Sequence, residues 1–132
     1  MATIKAALKE RLTGFPELSA LIGTRVFNLT APDGTATPYV AFRRRATTDR
    51  LTSLQGPGFR VRPRFEFHIF AASADSMDAV ATALRHALDG FKGSVLGQNI
   101  GGISLVDEDE DYLNEVGLYH AAQLFDVTHQ ED

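Results

Sequence analysis

Residues 59–70 alternate so regularly between apolar and polar side chains that an extended strand with one buried face is the economical reading. Phe59, Val61, Phe65, Phe67 and Ile69 fall on one side and Arg60, Arg62, Arg64, Glu66 and His68 on the other, the two-residue period of a pleated strand. A strand with one apolar face needs a covering layer. Pro63 lies on the apolar side and has no N–H to donate, so an edge position or a bulge is expected there.

The chain supplies that cover in helices. Ser73 is placed to cap a helix whose positive end suits Asp75 and Asp78, and Met77, Val80, Ala81, Leu84, Ala87, Leu88 and Phe91 form one apolar stripe, with Gly90 suited to the helix C-terminus. Thr3 caps a first helix with Ile4, Leu8 and Leu12 on one face, closed by Gly14; Pro16 and Glu17 open a short second one that stops at Gly23. Brief strands are expected at 25–29 and 39–47, separated by the turn residues Ala31-Pro32-Asp33-Gly34. Residues 45–58 are polar and turn-rich and read as a long flexible connection. After the main helix, residues 93–100 suggest a small hairpin around Gly97, and strands at 102–106 and 118–128 flank an acidic connection.

The order α-α-β-β-β-α-β-β implies an α+β domain of two layers: a mostly antiparallel sheet with one main helix packed across it and the N-terminal helices beside it. A chain of 132 residues, 44% apolar, fits one such domain over 1–132. The longest uncharged stretch, 93–106, holds 14 residues, short of the roughly 20 apolar residues a membrane helix needs. The first residues lack the apolar core and cleavage site of a secretory signal, which favours a cytosolic setting. With no cysteine, disulfides and thiolate chemistry are excluded.

Charge is unevenly spread. Residues 39–70 hold seven arginines (43, 44, 45, 50, 60, 62, 64) against Asp49 and Glu66, whereas 101–132 hold nine acids and no Lys or Arg. Opposite surfaces on one small domain favour a head-to-tail contact between copies, which closes into a ring where the rotation permits. Arg43, Arg45, Arg60, Arg62 and Arg64 are the candidate charged residues of such an interface, and Leu51, Leu54 and Phe59 its candidate apolar residues. The competing readings of the arginines are phosphate binding and a solvated strand face.

The run Asp107-Glu108-Asp109-Glu110-Asp111 offers oxygen ligands but lacks calcium-loop spacing and its glycine. It reads as a solvated acidic surface, with metal binding as a competing reading. His68, His86, His120 and His129 belong to no recognisable catalytic or phosphate-loop constellation, so each reads as a surface or interface residue and no catalytic site, metal or cofactor is expected.

Gly23-Thr24-Arg25-Val26-Phe27, Ala31-Pro32-Asp33-Gly34, Thr37-Pro38-Tyr39-Val40, Leu88-Asp89-Gly90-Phe91-Lys92-Gly93, Asp111-Tyr112 and Gly117-Leu118-Tyr119 occur in an order and spacing that resembles the phage tail-completion, or tail-terminator, family over about residues 4–129. Where that family has an Arg-x-Gln-x-Asp pattern in its central strand, this chain has Arg64-Phe65-Glu66-Phe67-His68. The resemblance implies a structural virion protein that assembles as a ring, usually a hexamer, on the head-proximal end of the tail tube. Such a ring stops tube growth, meets the tail tube protein and the head-tail connector, and lets DNA pass through; in it Asp107, Glu108, Asp109, Glu110 and Asp111 would be candidates to line the hole and repel DNA phosphates. The same role exists in gene transfer agents. A connector ring at a neighbouring position and a small polyanion-binding module are the alternatives.

Overall fold

The computed structural model describes residues 3–52 and 59–130, with side chains outside 46–59. Three helices, α1 (Ile4–Thr13), α2 (Pro16–Ile22) and α3 (Ala74–Leu88), accompany six strands, β1 (Val26–Asn28), β2 (Tyr39–Thr52), β3 (Phe59–Ala71), β4 (Gly93–Val95), β5 (Gln98–Leu113) and β6 (Leu118–Gln130). The class is α+β. The strands form one sheet in the order β1-β2-β3-β6-β5-β4, in which only the β1–β2 pair is parallel.

The helix starts follow capping chemistry. The Thr3 hydroxyl accepts from the Ala6 N–H at 3.2 Å and the Ser73 hydroxyl from the Ser76 N–H at 3.1 Å, each filling an otherwise unmet donor of the first turn. All of the expected stripe on α3 from Met77 to Leu88 is buried. Its cover is a Phe cluster: Phe67 of β3 stacks on Phe42 of β2 at 5.3 Å between ring centroids and meets Phe125 of β6 edge-on at 5.7 Å. Beside them the Gln123 amide, also buried, donates to the Ala81 carbonyl at 2.9 Å and ties β6 to α3.

Three sequence expectations are corrected. The expected connection at 45–58 starts later, because β2 continues to Thr52 in register with Phe59–Arg64 of β3; the ladder supplies backbone partners that outweigh the polar composition. Residues 107–111 are not a connection but part of β5, held on β6 from Asp107↔Leu124 to Leu113↔Leu118. The small hairpin around Gly97 does form, yet its second arm runs straight into that strand. Pro63 meets the bulge expected of a residue without an N–H, within a central strand: the β2 register shifts between Thr47 and Asp49, and β6 partners skip from Val61 to Arg64.

The β4–β5 turn is formed by Leu96 and Gly97, both at positive φ (50° and 80°). Two left-handed positions make a turn whose twist matches the strands, and Asn-Gly is its favoured pair. Leu96 is an exposed Leu in a conformation its Cβ disfavours. Leu96→Asn is expected to raise stability by about 1 kcal/mol, read from the urea midpoint. Phe67→Ala, which opens the centre of the aromatic cluster, is expected to cost about 3–5 kcal/mol in the same measurement.

Candidate assembly surface

The face of the sheet opposite the Phe cluster carries the charged side chains. Alternation along β3 puts Arg62, Arg64, Glu66 and His68 there, and the β3–β6 register sets Arg64 beside Asp126 and His68 beside Ala122. Arg64 forms a two-pronged ion pair with Asp126, Nε to Oδ1 at 2.9 Å and Nη2 to Oδ2 at 3.3 Å. That hydrogen bond, with the Asp126 charge, raises the Arg64 pKa. Arg64, expected at a subunit contact, is thus engaged within the chain.

A hydrogen-bonded line crosses four strands. Arg43 Nε of β2 donates to Glu66 Oε1 of β3 at 3.1 Å, and Glu66 Oε1 meets His68 Nε2 at 2.6 Å. His68 Nδ1 meets His120 Nε2 of β6 at 2.8 Å, and His120 Nδ1 meets Asp111 Oδ1 of β5 at 2.9 Å. Arg45 approaches Glu66 from the other side, Nη1 to Oε2 at 3.7 Å. All four imidazole nitrogens take part in these contacts, with the donor and acceptor roles set by the tautomers. Burial alone would raise the Glu66 carboxyl pKa, but hydrogen bonds from His68 and Arg43 and their charges outweigh it and hold it below the ordinary 4.5. Sequence reasoning placed His68 and His120 as separate surface residues; only the register of β3 on β6 brings them together.

The acids divide by face. Asp111 bonds His120 on the open side, whereas Glu108 turns to the helix side and pairs with Arg85 of α3 at 2.8 Å. Alternation along the strand assigns Asp107 and Asp109 to the open side with Asp111, and Glu110 to the helix side with Glu108. Among the described residues, no three His, Asp or Glu side chains converge as metal ligands. His86 pairs with Glu17 at 2.7 Å, and His129 is buried with its Nδ1 on the Gln130 carbonyl.

Of the other candidates, Arg44 lies over the Phe65 ring at 5.5 Å, and Arg60 is exposed with its guanidinium close above Gly101. Arg62 is partly exposed and has a partner. Leu54 lies outside the described residues, as do the side chains of Leu51 and Phe59.

A family model described as tail completion protein gp17 matches residues 6–130. Comparison with curated proteins finds no match. Among solved structures, a chain from the virion of a native gene transfer agent (GTA) particle superimposes with a TM-score of 0.80 at 19% sequence identity, covering 96% of this chain and 94% of that one. At that identity the likeness is one of fold.

Because the Glu66 pKa is lowered on folding, its contribution to stability is present above the ordinary value of 4.5 and is lost as the pH falls through the folded-state value. The stability difference between the natural chain and Glu66→Gln is therefore expected to be largest above pH 4.5 and to shrink below it. Urea midpoints collected down the acid range check this; a difference that grows with acidity would contradict the assigned hydrogen bonds.

Proposed function

Since the chain belongs to the tail completion protein gp17 family, structural proteins of phage tails, we propose that it caps the head-proximal end of a tail tube as a closed ring of six copies. In that position it ends tube growth, contacts the tail tube protein on one side and the head-tail connector on the other, and leaves a passage for DNA. Its place is then in the virion, reached by assembly in the bacterial cytoplasm. The observation that carries this reading is a family match running through residues 6–130, nearly the whole of the domain. A fold shared with a chain of a gene transfer agent virion agrees with it.

The internal pairing of the arginines favours this over a polyanion-binding module. Arg43 and Arg45 share Glu66, and Arg64 is held by Asp126, so these three cations exceed their own two carboxylates by a single charge. A binding surface for nucleic acid keeps its cations available for counterion exchange.

Light scattering and negative-stain imaging, with and without purified tail tubes, test the proposal. The expected result is a ring whose mass is an integral multiple of 14.4 kDa, free in solution or seated on one tube end only. A persistent monomer that ignores tubes and binds DNA with steep salt dependence would overturn it.

A further inference from the structure

The sheet has two unpaired stretches, one on each side. On β2, β1 pairs only with residues 40–42, and among the described residues no strand covers 43–52. On β5, β4 covers 98–100 and the chain at 89–91 bonds Ile103 and Leu105, leaving 106–113, among the described residues, with β6 on one side only. Every second residue of such an edge points its N–H and C=O outward, a template for another strand.

From these two edges we infer that copies of this chain join by pairing β5 of one with β2 of the next, making one continuous sheet around the ring. The inference rests on the ring reading above and names the contact that closes it. Strand direction permits it. β2, β3, β6 and β5 alternate in direction, so rotation about an axis roughly along the strands sets β5 antiparallel to the neighbour's β2.

Charge selects it, face by face. Arg43 and Arg45 both reach Glu66 and so share the open face, the same face as Asp107, Asp109 and Asp111 on the other edge. Arg44 lies on the helix side with Phe65, matching Glu110. Each side of the joined sheet thus sets arginine against carboxylate, with Asp109 and Glu110 meeting no cation among the described residues of their own chain. Charge steers such an encounter more than it holds it. Apolar area for the hold is present on the same margin, where Val106 and Tyr112 are exposed. The acidic run is thereby placed between copies instead of around the hole.

Two reversed variants test this together. Asp109→Lys with Glu110→Lys puts cations on β5 at the two acids that would face the neighbour's arginines; Arg44→Glu with Arg45→Glu puts carboxylates on β2 where they would face the neighbour's acidic run. Each alone is expected to need at least about tenfold more protein to form rings, because like charges then face each other across the joint. Mixed in equal amounts, the two satisfy both contacts of an alternating six-membered ring, and assembly is expected to return. Recovery also shows that both variants are folded. As a second measurement, Arg44→Cys with Glu110→Cys, in a chain without other cysteines, should give a covalent ladder of subunits when assembled rings meet a short bismaleimide. Rings in the natural chain, with neither recovery on mixing nor a ladder, would overturn the edge contact and leave the ring standing. A natural chain that stays monomeric in solution and on tubes would overturn both.

Discussion

The pairing of β3 with β6 is the constraint on which the rest depends. On one face of that pair Phe67 meets Phe125 inside the core; on the other, Arg64 clasps Asp126 and His68 meets His120. Side chains in a strand have a period of two, so a slip of one residue would send both sets to the wrong face. Burial of the aromatic rings and pairing of the charged row therefore select the same register. Across this pair the open-face line extends to Arg43 on β2 and Asp111 on β5, joining four strands through contacts in which both carboxylates have a hydrogen-bond partner.

What could be read from the sequence was what is local. The α3 stripe, its Ser73 cap and the alternation of β3 involve residues within a few positions of one another, and each appears as expected. The strand content of residues 107–111 was hidden, since five consecutive acids have low strand preference and no apolar alternation. They are extended because β6 presents a complete ladder to them and because Arg85 of α3 receives Glu108. The same holds for residues 45–52, whose partners on β3 lie beyond a turn-rich segment.

The candidate site was legible as a set of residue types but not as pairs. The basic strand and the acidic run were visible as opposite charges and suggested a contact between copies, yet which charges remain for a neighbour depends on intrachain geometry. Arg64 is taken up by Asp126, whose distance in sequence gave no hint of it. His68 and His120 are 52 positions apart and look unrelated until β3 and β6 are in register. Glu66 and His68, where the resemblance led to expect Gln and Asp, both enter the hydrogen-bonded line. The polar face is kept with a different chemistry.

Edge charge also bears on which assembly a protein of this shape can reach. A two-fold dimer would bring like edges together, β5 on β5 or β2 on β2, since an isologous contact uses one patch twice. Carboxylates would then face carboxylates and arginines face arginines, a juxtaposition that costs stability when directly opposed. If copies join by their sheet edges, as proposed, unlike edges are the compatible ones, and pairing them leaves one of each sign free at the two ends of the growing assembly. Growth stops when the last copy meets the first. The charge division between the two sides of the sheet thus works against closed dimers and against unmatched strands, and favours a head-to-tail contact, which closes into a ring where the rotation permits.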